Sequence, residues 1–252
     1  MTGPWFEADW PAPRGVRVLS TLRGEAGSGV SRAPYACFNL GDHVGDDPAA
    51  VAENRRRLKR EAALPAEPSW LAQVHGVTVV DLDSARLKGP ADGAVARGAG
   101  KVCAILTADC LPIVFATDSG DRVAAAHAGW RGLAAGVIEA TVHALGVPGA
   151  SLMAWLGPAI GPEHFEVGAE VREALLSGDE QAVEAFAPNA RGRFMADLWK
   201  LARGRLETLG VARIYGGGEC TFTHSHRYYS HRREGITGRQ ATLIWREESE
   251  YR

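Results

Sequence analysis

The stretch "VCAILTADCLPIVFATDSGDRVAAAHAGWRGLAAGVIEATVHALG", residues 102–146, carries the pattern from which the fold follows. Three runs rich in aliphatic residues, at 102–108, 111–117 and 123–127, are bounded by turn residues and read as buried strands. The period then changes. Leu133, Val137, Ile138, Thr141 and Leu145 fall on one helical face across 132–146, and a glycine ends the pattern.

The same alternation extends outward. "VRVLSTLR" (16–23), "VTVVDL" (77–82), "SLMAWLG" (151–157), "VARIYGGG" (211–218) and "QATLIWR" (240–246) read as strands. Asp47 can cap, and Pro48 open, a helix running through "AAVAENRRRLKREAAL". Further helices are expected over 166–178 and 195–210. Residues 24–48 form a long, polar, glycine-rich stretch, the kind of loop that is often functional. No repeat or linker interrupts the chain, so the expectation is a single α/β domain over residues 1–252.

Composition narrows the function. A net charge of −2 gives no basic footprint for nucleic acid or an anionic membrane. No apolar run reaches membrane-spanning length, and the first residues lack the pattern of a secretory signal. Cysteines at 37, 103, 110 and 220 form no C-x-x-C pair, which fits reduced thiols and a cytoplasmic protein. Cys103, inside "VCAIL", reads as core packing, and "GGG" at 216–218 as a turn.

Three element ends carry metal-ligating residues: His75 in "LAQVHG", Cys110 in "LTADCLP" and His127 in "AAHAGWRG". Two imidazoles and a thiolate suit Zn²⁺, and three protein ligands leave a coordination position for substrate. The alternative is a satisfied core histidine and a buried apolar thiol. After His127, Gly129 and Gly132 permit close backbone approach, and Trp130 and Arg131 stand together at a strand-to-helix turn. An aromatic plane, a guanidinium and a helix N-terminus suit an aromatic base bearing a sugar or phosphate; the alternative is that Trp130 is a core anchor and Arg131 a surface charge. The "CTFTHSHRYYSHRR" segment, with Cys220, His224, His226 and His231, is a weaker candidate for a second metal site.

With those residues in view, the chain resembles the YfiH-like family, also called laccase-domain proteins, purine nucleoside phosphorylases or peptidoglycan editing factors. The resemblance rests on "FNLGDHVGDDPAAVAENRRRL", "LAQVHG", "TADCLPIVF", "AAHAGWRGL", "LGPAIGPEHFEVG", "CT" at 220–221 and "YYSHRREGITGRQA", in order along nearly the whole chain. It implies a layered α/β sandwich with mixed sheets and zinc on His75, Cys110 and His127. It also implies phosphorolysis of adenosine, inosine and S-methyl-5′-thioadenosine, with adenosine deamination beside it. The partners would be purine nucleosides and phosphate. The family's "SLNLG" appears here as Cys37-Phe38-Asn39-Leu40-Gly41, and its "FFSYRR" as "YYSHRR" with His231 in the tyrosine position.

Candidate roles follow. Asn39, Trp130, Arg131 and Arg232 are candidate substrate contacts, the arginines through forked hydrogen bonds to phosphate or ribose. The H-x-E with P-C-x-x-C signature of zinc deaminases is absent, so Asp109 or His43 would have to carry the proton. Asp109 is alternatively an outer partner holding a ligand histidine. Three other functions compete. A multicopper polyphenol oxidase needs roughly ten imidazoles, and this chain has eight histidines and one H-x-H. A cysteine hydrolase acting on peptidoglycan precursors would use Cys110 as nucleophile and His127 as base. A non-catalytic, zinc-stabilised binder of nucleosides would use the same residues.

Overall fold

The computed structural model describes residues 3–84, 89–177 and 180–248. Two mixed sheets lie face to face, with helices outside both. The six-stranded sheet runs Arg213–Gly216, Leu152–Leu156, Leu111–Thr117, Val123–Ala128, Gly93–Ala96, Val79–Asp81. Its interior pairs are antiparallel and its two outermost pairs are parallel. The five-stranded sheet runs Trp5–Glu7, Val16–Thr21, Gln240–Arg246, Val102–Thr107, Ser69–Trp70, antiparallel except at the last pair. A small third sheet joins Glu166–Val167, Phe194–Ala196 and Phe186–Pro188.

The layering follows from period-two alternation within strands that are buried on both faces. Val114, Ala116, Val123 and Ala125 meet Val16, Val18, Cys103, Ile105 and Ile244 of the other sheet. Their neighbours Ile113, Phe115, Ala124 and Ala126 point the opposite way, onto Leu133, Val137, Ile138 and Leu145. The outer face of the five-stranded sheet packs Leu19, Leu106 and Leu243 against Leu58 of the helix Pro48–Glu61 and against Phe38 and Leu40. The expected layered α/β sandwich with mixed sheets is therefore present. Cys103 is fully buried in the core, as expected.

Several boundaries differ from the expectation. The single helix over 132–146 is two helices, Trp130–Ala135 and Val137–Leu145, because Gly136 sits at φ 97°, a left-handed conformation that the α-helix cannot pass through. The expected apolar face is nonetheless fully buried at Leu133, Val137, Ile138, Thr141 and Leu145. In the helix expected over 166–178, Glu166–Val167 is a strand and helix begins at Ala169; residue 178 lies outside the described residues. In the helix expected over 195–210, Met195 and Ala196 belong to the third sheet, and Asp197 caps a helix Leu198–Thr208 by accepting from Lys200 N. Asp47 caps the first long helix as expected, accepting from Ala49 N. Residues 24–47 contain no helix or ladder strand, and Gly216, Gly217 and Gly218 all take positive φ, as a turn requires.

Candidate metal centre

The two sheets deliver the three expected donors to one point. Cys110 lies where the chain leaves Val102–Thr107 of one sheet and enters Leu111–Thr117 of the other. Asp109, at φ 91°, makes that sharp crossover. His127 belongs to the next strand, which pairs beside it in the register Leu111↔Ala128 and Pro112↔His127. By alternation it shares the face of Val123 and Ala125, toward the other sheet. His75 rides on the turn after Ser69–Trp70, at φ 61°. The donor atoms of His75, Cys110 and His127 lie within 4.8 Å of one another, and among the described residues no other group of three metal donors exists. The segment holding Cys220, His224 and His226 therefore makes no second three-donor site there. Its His224 and His226 rings stand 6.4 Å apart.

The donor set fits a tetrahedral ion. Zn–S of about 2.3 Å and Zn–N of about 2.0 Å place sulfur and nitrogen about 3.5 Å apart, and His75 Nε2 lies 3.8 Å from Cys110 Sγ. The two imidazole rings approach edge to face, with centroids 4.7 Å apart. Gly129 makes room for the cluster. A Cβ there would stand 2.9 Å from Cys110 Sγ and 3.0 Å from His75 Cδ2.

One buried carboxylate organises two of the three donors, and no motif in the sequence announces it. Asp92, wholly buried, precedes the strand Gly93–Ala96, where the backbone N–H of His127 donates to its carbonyl at 2.7 Å. Its Oδ1 accepts from His127 Nδ1 at 2.8 Å and from His75 N at 2.9 Å. Its Oδ2 accepts from Gly76 N at 2.7 Å and Val74 N at 3.1 Å. The first bond fixes the proton on Nδ1 and leaves Nε2 of His127 to ligate. The other three hold the turn that carries His75. Burial opposes the charge on Asp92, but the His127 bond and the backbone N–H groups outweigh it and lower its pKa.

The sulfur is equally tuned. Burial pushes the Cys110 thiol up, yet the charge of His127 and hydrogen bonds from both imidazoles bring it down to about 6. For His127, burial favours the neutral ring, and the Cys110 thiolate and Asp92 reverse that, raising it to about 9. The thiolate that a metal requires is thus already favoured at neutral pH.

The remaining candidates lie in different settings. Trp130 is half-buried, and the exposed Arg131 lays its guanidinium 4.4 Å from the Trp130 ring centre. The helix they open is only six residues long, so the anion-attracting N-terminus expected from one long helix is reduced. The Arg232 N–H donates to Asp109 Oδ2 at 2.7 Å, while its Nη1 donates to the carbonyl of Glu166 at 3.0 Å. Asp109 does not hold a ligand histidine, because its left-handed backbone turns the carboxylate to Thr221 Oγ1, at 2.7 Å, and to Arg232 N. Asp92 takes that role instead.

Asn39 is wholly buried and its amide is spent within the chain: Oδ1 accepts from Gly41 N and Arg239 N, and Nδ2 donates to Gly41 O and Asp46 Oδ2. No edge of it remains to meet a substrate. His43 is exposed, and partial desolvation and the charge of Arg239 lower its pKa. Arg55, in the "RRRLKR" run, anchors Leu40 by two hydrogen bonds to its carbonyl and stacks 4.4 Å from the Trp70 ring centre.

A sandwich of two mixed sheets with a His-Cys-His cluster at its end defines a class, and the chain belongs to it. It is a member of the YfiH-like laccase-domain family, whose family model, described as multi-copper polyphenol oxidoreductase laccase, matches residues 19–247. It is 57% identical over 242 residues to the purine nucleoside phosphorylase of Pseudomonas aeruginosa, covering 96% of this chain and 98% of that one. It is 48% identical over 237 residues to the purine nucleoside phosphorylase YfiH of Escherichia coli, covering 94% and 96%. The crystal structure of a Neisseria meningitidis protein superposes with a TM-score of 0.91 at 43% identity, over 97% of this chain and 100% of that one. No helix among the described residues is long and apolar enough to cross a membrane.

Proposed function

We propose that this protein is a zinc-dependent purine nucleoside phosphorylase acting on adenosine, inosine and S-methyl-5′-thioadenosine, with adenosine deamination as a second activity. The observation that carries the proposal is the convergence of His75, Cys110 and His127 under one carboxylate, in a chain closely similar to proteins named purine nucleoside phosphorylase. His75, Cys110 and His127 would hold the ion, which would supply Lewis-acid polarisation and a template for the reacting groups.

The chain's own groups do the rest. Trp130 offers its ring to the purine, and Arg131, stacked on it and exposed, offers forked donors to ribose or phosphate. Arg232 is a third contact, steadied by Asp109. His43, held toward its neutral form by partial desolvation and the charge of Arg239, is the proton carrier. The chain is read as one catalytic domain of the cytoplasm.

Eight histidines and a single three-donor cluster among the described residues do not furnish the ligands of a four-copper oxidase. The thiolate–imidazolium pair of Cys110 and His127 also suits a cysteine hydrolase acting on peptidoglycan precursors. One experiment separates these. Metal-quantified protein is given each nucleoside with and without phosphate, and released base is followed by chromatography. Phosphate-dependent release with about one zinc per chain, lost together with the metal in His75→Ala, Cys110→Ala and His127→Ala, is expected. Full activity in all three variants refutes the proposal. A trapped acyl-cysteine with no base release favours the hydrolase.

A further inference from the structure

Arg239 is half-buried on the chain leading into the strand Gln240–Arg246. Its Nη1 donates to the carbonyls of Gly238, at 2.9 Å, and Thr237, at 3.1 Å. Among the described residues, Nε and Nη2 make no hydrogen bond and no carboxylate lies within ion-pair distance. The register that pairs Gln240 with Thr107 sets Arg239 beside the crossover at 108–110, and the acidic groups it feels at longer range are the Cys110 sulfur and the Asp109 carboxylate, while it in turn acts on His43. Burial shifts its pKa below the ordinary arginine value. Desolvating a guanidinium that has no carboxylate partner is costly, and charges that native chains withdraw from water are usually paired with an opposite charge.

The surroundings hold it there. Asn39 Oδ1 accepts from Arg239 N at 2.8 Å and from Gly41 N at 2.9 Å, and the Leu40 N–H donates to the Arg239 carbonyl at 3.1 Å. Gly41 lies flat under the side chain. A Cβ at that position would stand 2.7 Å from Arg239 Cγ. So the 39–41 segment and Arg239 form one unit that sets a fixed cation next to the cluster, with two donor nitrogens unspent.

We propose that Arg239 binds the phosphate co-substrate, holding a tetrahedral oxyanion beside the His75–Cys110–His127 centre. Asn39 is then a positioning residue acting through Arg239, which explains a buried amide in the glycine-rich loop. This rests on the phosphorolysis proposed above, where the anion is the nucleophile that attacks the sugar carbon as the purine departs. Arg239→Gln removes a charged, forked donor, a loss worth about 10- to 100-fold in affinity for an anion. Arg239→Lys keeps the charge without the fork and should recover part of it.

The test uses full-length, metal-loaded protein and two independent readouts. Inorganic phosphate and a nucleoside 5′-monophosphate are titrated separately by calorimetry into wild type, Arg239→Gln, Arg239→Lys and Gly41→Ala, with metal content and melting temperature recorded. Phosphorolysis is then measured at varied phosphate. The expected result is a KM for phosphate raised about 10- to 100-fold in Arg239→Gln, a smaller fall in kcat, an unmoved nucleoside KM and unchanged metal content. Direct phosphate binding weakens in parallel, with Arg239→Lys in between. Gly41→Ala, which leaves every charge in place and only displaces the side chain, should reproduce the loss if Arg239→Gln proves unstable. Wild-type phosphate binding in both Arg239→Gln and Gly41→Ala overturns the assignment and leaves the phosphorylase proposal standing. Arg239-dependent binding of the monophosphate alone assigns the charge to a phosphate ester and overturns it too. Arg239-dependent phosphate binding without any base release supports the anion site while the phosphorylase proposal falls.

Discussion

Replacing Asp92 by asparagine should uncouple two metal ligands at once. Four donors converge on this carboxylate: His127 Nδ1 at 2.8 Å and His75 N at 2.9 Å on one oxygen, Gly76 N at 2.7 Å and Val74 N at 3.1 Å on the other. An amide offers one acceptor oxygen and one NH₂, so either way round two donors face a donor. If the NH₂ meets Val74 and Gly76, two N–H groups lose their acceptor at about 1–3 kcal/mol each, and the turn bearing His75 moves to escape. If it meets His127, the imidazole is driven to carry its proton on Nε2 and loses the lone pair that would ligate. Both outcomes weaken metal binding, by about 10- to 100-fold on the usual scale for such outer partners.

The assay is competition against a chelator of known affinity, with thermal unfolding recorded with and without metal. Because Asp92 has its pKa lowered below the ordinary 3.8 on folding, its contribution is fully present above that value and fades as pH falls through the lower folded one. The stability gap between wild type and Asp92→Asn should therefore be full near neutrality and narrow in acid. An Asp92→Asn protein that holds metal within twofold of wild type, with an unchanged melting temperature, would refute the reasoning.

Three further outcomes are expected. Gly129→Ala should lower metal affinity and cost about 1–3 kcal/mol of stability, because its Cβ would crowd Cys110 Sγ and His75 Cδ2; chelator competition and denaturant melts check both, and wild-type values in each would show that the cluster has slack. Arg131→Ala should raise KM for nucleoside or phosphate while metal stays bound, since the side chain is exposed and stacks on Trp130 rather than on a ligand; loss of metal would show that Arg131 was misplaced. In metal-stripped protein, iodoacetamide labelling of Cys110, followed by peptide mass mapping, should rise with pH through a midpoint near 6, since the thiol is held at about 6; a midpoint near 9 contradicts the thiolate–imidazolium pair.

The three donors of the candidate metal centre were legible because each lies at the end of an element or at a break between two, and chemistry-bearing residues there stand out against a buried background. The layers were legible for the same reason, through periods of 2 and 3.6. Asp92 was not legible. It sits in "GPADGAV", which reads as a turn, and its importance depends on the 74–76 turn folding onto it and on His127 of a later strand reaching its carboxylate. Adjacency to Cys110 points instead to Asp109, but a left-handed residue sends its side chain away from its neighbour's. Asn39 shows the converse. A polar residue in a glycine-rich loop looks available for a ligand, and only the folded chain shows its amide consumed by Gly41, Asp46 and Arg239. The split at Gly136 escapes notice because both halves keep the same apolar face toward the core.

The three donors hang from separate parts of the sandwich: His75 follows a strand of one sheet, His127 lies at the end of a strand of the other, one residue before its last, and Cys110 sits on the link between them. An ion there would act as a rivet at the open end of the two layers. At a free concentration 100 times its Kd it would add about 2.7 kcal/mol to the folded state. Supply of the ion would then govern how long the molecule survives proteases as well as whether it turns over substrate.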